Sequence, residues 1–204
     1  MTKQEGVIKY DLLFTEAELT FEHDFSNLGL WHRRFKQAGI LGQDTDRYDG
    51  LGFGNISERV EAGFLISGTQ TGCLAELTPS DYALVTNAEI SINQIEAKGR
   101  VKPSSEALTH AAIYALASDI RFVFHVHSPD IWNRRSTLGL PQTGAEIPYG
   151  TAEMASEMKR LYHEGLFQNQ KILAMAGHED GIIGFGAIAD EVGVAIMDLL
   201  SSVA

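Results

Sequence analysis

The stretch RFVFHVHSP, residues 121–129, decides how the chain is read. Its phenylalanines and valines predict a buried strand over 121–126, and Pro129 just after it opens a short helix. Residues two apart on a strand share a face, so His125 and His127 point the same way while Val126 faces the core. Two imidazoles aimed at one point form half of a tetrahedral site. They stand at the C-terminal end of an apolar strand, where open α/β sheets place ligands. Neutral imidazole is the commonest protein ligand of zinc, and catalytic zinc sites use three protein ligands with a fourth position for water or substrate. The same spacing also fits two polar residues on a solvated strand face, so the pair calls for a third ligand.

His178, in AMAGHEDG (residues 174–181), is the best candidate for that ligand. It too follows a short apolar strand, expected over 172–176, and lies in a turn flanked by Gly177 and Gly181. Taken alone it also reads as a surface loop histidine, and Glu179 and Asp180 beside it offer carboxylate ligands instead. His23, His32, His110 and His163 stand in less suggestive places.

Around this pair the pattern is that of one α/β domain. Residues 1–25 alternate charged and apolar types without a clear period and read as a short strand or an arm packed on the body. Over 26–38 the residues Leu28, Leu30, Trp31 and Phe35 recur at mostly helical spacing, with Ser26 as N-cap and Gly39 as the stop. Between 50 and 101, short β-rich runs such as 63–67 and 82–86 are separated by glycines and Asn/Ser/Asp clusters, which predicts a meander of strands. Ser104 or Ser105 caps a helix carried by Ala107, Leu108, Ala111, Ala112, Tyr114 and Ala115. Further helices are expected over 151–162 and 187–200, and a strand over 182–185. Strands early, then strands and helices interleaved, predict a mixed sheet with helices on both faces.

Composition excludes several classes of function. The chain has 204 residues, 44% of them hydrophobic, enough for one substantial core. Its net charge of −11 opposes sequence-independent attraction to nucleic acid or anionic lipid. The sequence has no apolar run of membrane-spanning length, and its start, MTKQEGVIKYDLLF, lacks a basic region followed by an apolar stretch. With a single cysteine, Cys73, the expectation is a cytoplasmic protein that binds a small molecule.

Two further groups of residues carry chemistry. In VKPSSEALTH (101–110) the helix start and the hydroxyls of Ser104 and Ser105 make an anion cradle, with Glu106 in the first turn. Such a carboxylate ordinarily complements the helix dipole; beside a metal it would serve as a general base. His110, one turn further on, reads as packed or paired with Glu106. GFGNISER (52–59) and ISGTQTG (66–72) are glycine-bracketed and read either as tight turns of an antiparallel sheet or as ligand loops. As ligand loops, Asn55, Ser67, Thr69, Gln70 and Thr71 could hold a phosphate, carboxylate or polyol without any basic residue. Neither loop matches a P-loop or dinucleotide fingerprint.

Taken in order, GNIS, ISGTQTG, LTPSDYALV, KPSSE, HVH and GH-x-x-G resemble the class II aldolase/adducin family, the group of the L-fuculose-phosphate and L-ribulose-phosphate enzymes. The resemblance covers roughly residues 28–200. It implies a three-layer α/β/α sandwich around a mixed, mostly antiparallel sheet, usually assembled as a homotetramer. It also implies zinc, or another divalent metal, on His125, His127 and His178, and an acid/base role for Glu106. Gly54, Asn55, Thr69, Gln70, Thr71, Gly72, Ser104 and Ser105 would hold the far end of the substrate. The implied reaction is aldol-type C–C cleavage of a small hydroxy-keto substrate through a zinc-stabilised enediolate. The same metal site would also serve a dehydratase or decarboxylase, and the adducin branch keeps the domain as a scaffold without the chemistry. ISGTQTG is one residue longer than the corresponding loop of the sugar-phosphate enzymes, and GHED replaces a double histidine. The sequence also ends soon after the last helix, without the family's proton-donating tail tyrosine, which leaves Tyr149 as the expected substitute.

Overall fold

The computed structural model describes residues 6–167 and 171–203. In chain order its elements begin with β1 (Asp11–Glu16), α1 (Ser26–Gln37), β2 (Gly42–Gln43), β3 (Gly52–Phe53), β4 (Asn55–Val60), β5 (Gly63–Ser67), β6 (Tyr82–Glu89) and β7 (Gln94–Gly99). They continue with α2 (Ala107–Tyr114), β8 (Phe122–His127), α3 (Pro129–Asn133), α4 (Ala152–His163), β9 (Ile172–Ala174), β10 (Gly181–Gly186) and α5 (Ala189–Ser201). Eight strands form one sheet in the order β1-β7-β6-β5-β4-β8-β10-β9, and β2 pairs with β3 separately. β1 and β7 run parallel; every other pairing in the sheet is antiparallel. The expected meander is therefore present as β4 to β7, neighbouring one another in sequence order.

The burial of β8 explains the three layers. All six of its residues are buried. Phe122, Phe124 and Val126 share a core with Leu28, Trp31 and Phe35 of α1 and with Val192 and Ile196 of α5. Val123 belongs to the opposite core, with Leu108, Ala111 and Ala112 of α2 and Met154, Ala155 and Met158 of α4. A strand flanked by other strands and apolar on both faces must be covered twice, and each large apolar side chain so buried contributes about 1.5–3 kcal/mol. The period of two then carries His125 and His127 to the α2/α4 face with Val123. The sandwich expected from the sequence is the fold observed.

Several local expectations are corrected. α1 begins at Ser26, but Ser26 does not cap it with its hydroxyl; the Ser26 N–H donates to Asp24 Oδ1 at 2.9 Å. α2 begins at Ala107, so Glu106 stands at the N-cap and not in the first turn, and neither serine caps the helix with its side chain. Ser104 Oγ instead accepts from the Glu106 N–H at 3.3 Å. Much of GFGNISER is not loop at all, since Asn55–Val60 is β4. The strand expected over 172–176 ends at Ala174, where the turn carrying His178 begins. The N-terminal arm is a real strand, β1, added to the edge of the sheet beside β7; residues 1–5 of that arm lie outside the described residues. Among the described residues no helix is long and apolar enough to cross a membrane.

His32, on the buried face of α1, has no hydrogen-bond partner for either ring nitrogen among the described residues. Burial, with Lys36 nearby, lowers its pKa to about 4. Above the unfolded value near 6.5 both states are neutral and stability does not depend on this group. Between 6.5 and about 4 the unfolded chain takes the proton first, so stability falls with falling pH by up to about 1.4 kcal/mol per unit. We expect His32→Leu to flatten the loss of urea stability over that window by about one proton. An unchanged pH slope would mean that His32 is not held neutral.

Candidate metal centre

Strand register assembles the site from separate parts of the chain. On β8, His125 lies between Asn55 of β4 and Ile183 of β10, and His127 is paired with Gly181 at the start of β10. His178 occupies the turn between β9 and β10, where its N–H donates to Met175 O at 2.9 Å and its carbonyl accepts from Gly181 N at 3.0 Å. A Cβ at Gly181 would stand 3.2 Å from both His125 Cε1 and His178 Nδ1, tighter than most real contacts, so glycine is what lets the two rings approach. One nitrogen from each of the three histidines falls within a cluster no more than 4.8 Å across.

The chemistry of this donor set fits a divalent ion. His125 Nδ1 lies 3.2 Å from Ile182 O, and a carbonyl can only accept, so the proton sits on Nδ1 and Nε2 carries the lone pair. That Nε2 is 3.0 Å from Nε2 of His127. Two imidazoles on a tetrahedral zinc would hold their nitrogens about 3.3 Å apart, from bond lengths of 2.0–2.1 Å. Burial, reinforced by the neighbouring His178, pushes the pKa values of His125 and His127 well below the usual histidine range. Both rings are therefore neutral near pH 7, the state a metal requires. A proton shared among such rings is disfavoured by the same burial, whereas a bound ion satisfies all three lone pairs together.

Glu106, itself buried, brings Oε1 to 3.3 Å from His178 Nδ1. The alternative carboxylate ligands fall elsewhere: Glu179 is exposed, and Asp180 accepts the Tyr48 hydroxyl at 2.6 Å. His110 is packed in the core, with its Nδ1 2.7 Å from Ser57 Oγ and its backbone N–H donating to the Glu106 carbonyl at 3.1 Å. Tyr149 is stacked on His178 with ring centroids 4.5 Å apart, and is thus in contact with the triad.

Beside Asn55 opens a narrow cleft with about 20 Å3 of free space, room for a water-sized group. All eight residues expected to hold the far end of the substrate line it: Gly54 and Asn55, Thr69 through Gly72, and Ser104 with Ser105. Gly54 has φ +75°, and a Cβ there would press to 3.0 Å on His125 O. Among the described residues, no lysine or arginine lines this cleft.

Sequence reading missed two contributors. The N-terminal segment reaches over the cleft: Gly6 lines it, Thr69 Oγ1 donates to Gly6 O at 3.4 Å, and Tyr10 Oη donates to Ser104 O at 2.7 Å. Lys9 places its ammonium 3.2 Å above the Tyr149 ring, and the Val7 N–H donates to Tyr149 Oη at 3.3 Å. Between β2 and β3, Arg47 and Tyr48 reach His127 and Asp180. The Asp- and Gly-rich run DTDRYDG marks that segment as a turn, but nothing local shows what its tyrosine touches.

Residues 43–192 match the family model of the class II aldolase and adducin N-terminal domain, and the chain belongs to that family. Among solved structures it is similar to an L-fuculose-1-phosphate aldolase from Thermus thermophilus, with 18% identity, TM-score 0.57, and coverage of 87% of this chain and 89% of that one. It is also similar to YgbL from Escherichia coli, described as a putative aldolase/epimerase/decarboxylase, with 19% identity, TM-score 0.58, and coverage of 86% and 84%. A sugar-phosphate aldolase from Thermotoga maritima matches at 14% identity and TM-score 0.53 over 86% of this chain and 96% of that one. At such identities the likeness is one of fold. No curated protein sequence matches significantly.

Elemental analysis of the purified protein is expected to give close to one equivalent of divalent metal. His125→Ala should lose it while keeping the secondary structure seen by circular dichroism. Metal-free wild-type protein with an intact fold would count against a metal centre and for a scaffold domain.

Proposed function

We propose that the chain is a metal-dependent lyase that cleaves a C–C bond of a small hydroxy-keto compound by aldol-type chemistry. The observation that carries this reading is the meeting of three buried, converging imidazoles with the Glu106 carboxylate at 3.3 Å. His125, His127 and His178 would hold the ion, and a set of three neutral nitrogen donors suits zinc. The ion, when bound, supplies Lewis-acid stabilisation of negative charge developing on a substrate oxygen.

The protein's own groups do the rest. Glu106 moves the proton of the reacting carbon or hydroxyl, since its carboxylate stands against the triad and is shielded from water. The cleft holds the remote end of the substrate through the Asn55 amide, the hydroxyls of Thr69, Thr71, Ser104 and Ser105, and backbone N–H groups around Gly72. With these donors, and no lysine or arginine among its described lining residues, the cleft takes a hydroxyl or a single oxygen of a carboxylate or phosphate. Tyr149, stacked on His178, takes up the proton of the hydroxyl that becomes the departing carbonyl and returns it to that oxygen in the reverse, condensing direction.

A second reading is decarboxylation or dehydration through the same site; the likeness to YgbL, described as a putative aldolase/epimerase/decarboxylase, favours the first of these. A homotetramer acting in the cytoplasm is the assembly we propose with either reaction, and light scattering tests it.

Screening sugar phosphates and hydroxy-keto acids with zinc, manganese and cobalt should identify a substrate. On that substrate Glu106→Gln should keep the metal and lower kcat by roughly 10²–10⁴-fold. Full turnover by this variant would remove Glu106 from the proton transfer, and loss of the metal would make it a ligand support instead.

A further inference from the structure

Five described residues other than glycine have positive φ, and two of them, Tyr48 (φ 51°) and Asp180 (φ 62°), meet at one contact beside the triad, with Asp49 (φ 57°) next to Tyr48 in the chain. Left-handed backbone is tolerated at aspartate but unfavourable at a bulky residue such as tyrosine, where it persists when surrounding contacts hold it, most often at functional sites. Here the imposing contact is the hydrogen bond from Tyr48 Oη to Asp180 Oδ2, 2.6 Å long. Arg47 donates to the same Tyr48 oxygen at 2.8 Å and to the His127 carbonyl at 3.4 Å. The Tyr48 ring stands edge-on to the His127 imidazole with centroids 4.8 Å apart.

These contacts tie together two parts of the chain that bring different ligands. His127 ends β8, while His178 rides on the β9–β10 turn, which is closed by backbone bonds among Met175, His178 and Gly181 and held to the body at Met175 by Trp132 and at Ala176 by Thr143. Asp180, two residues beyond His178, is clamped on both sides: its carbonyl accepts from Ser128 N at 2.9 Å and its carboxylate accepts from Tyr48. The segment between β2 and β3 therefore reaches across from the α1 side and fixes the turn of one ligand against the strand end of the other.

We propose that Tyr48 is a positioning residue of the triad, holding Asp180 so that His178 meets His125 and His127 at the spacing one ion requires. It acts through Asp180 and the packing of His127. The proposal rests on the metal-centre reading above and adds a residue that sets metal affinity and coordination geometry. Groups that orient ligands from outside the coordination sphere typically change affinity by 10–100-fold.

The test uses the full chain stripped with chelator and reloaded with Co²⁺, whose visible absorption reports coordination geometry. Tyr48→Phe keeps the ring and removes the hydroxyl. It should weaken Co²⁺ binding by about 10–100-fold and alter the visible band, while the melting temperature of the metal-free protein changes little. Asp180→Gly, which removes the acceptor and tolerates the φ of 62° at this position, is the second variant, for use also if Tyr48→Phe does not fold, and should show the same loss. The double variant should be no weaker than the weaker single one, because both lose one shared bond. If each variant that folds binds Co²⁺ with wild-type affinity and an unchanged spectrum, the proposal is wrong, whatever happens to the melting temperature. If the wild type itself binds no Co²⁺, the metal-centre reading falls and this proposal falls with it.

Discussion

The structure depends on one constraint, the burial of β8 on both of its faces. A strand in that position can be apolar throughout, and Phe122, Val123, Phe124 and Val126 follow the rule. His125 and His127 break it, on the face that looks toward α2 and α4. Taking an uncharged polar group such as imidazole out of water costs about 1–3 kcal/mol unless its hydrogen bonds are replaced, and charging it there costs more. The chain has put two imidazoles, and a third from the next hairpin, where burial keeps the β8 pair neutral. A fold that gathers this many donor nitrogens at one point offers a metal ion a ready set of ligands.

From β8 the remaining parts of the site follow through hydrogen-bonded register. Antiparallel pairing with β4 sets Asn55 beside His125, and pairing with β10 sets Gly181 opposite His127. Because side chains alternate at every residue, a slip of one position in either ladder would turn the imidazoles or the Asn55 amide to the other layer. The cleft next to the triad is made mostly of backbone and short polar side chains, supplied by the start of β4, the turn after β5 and the segment leading into α2. Glycine recurs there because chain approaches chain: a Cβ at Gly72 would lie 2.1 Å from Gly42 O.

Two further segments reach the site. β1 extends the sheet by a parallel strand, and the residues before it cross the cleft from Gly6 to Tyr10, where burial and the Glu106 charge push the Tyr10 phenol upward. The β2–β3 segment brings Arg47 and Tyr48 to the opposite side of the triad. The N-terminal arm is anchored again by His23, whose Nε2 lies 3.1 Å from Glu58, a buried carboxylate that also accepts from Arg121 at 2.7 Å. Both segments bear on the site through hydrogen bonds between residues far apart in sequence.

What could be read in advance was what is encoded locally. Alternation in FVFHVH determined a buried strand with two histidines on one side, because strand geometry has a fixed period. Glycine and hydroxyl residues in ISGTQTG and KPSSE determined where backbone could approach a ligand, and the order of these motifs determined the family. Cap positions were less legible: Ser26, expected to cap α1, instead donates its N–H to Asp24, and Ser104 holds the N–H of Glu106 without capping α2, since cap choice depends on how the preceding loop enters the helix. Tertiary structure alone decided which third ligand joins the pair, by turning His178 inward while Glu179 faces solvent and Asp180 engages Tyr48. It also decided that His110 serves the core through Ser57 and that Tyr48 belongs to the site at all. Local sequence carries the period of a strand and the freedom of a turn, but a contact between residue 48 and residue 180 exists only once the sheet has brought their loops together.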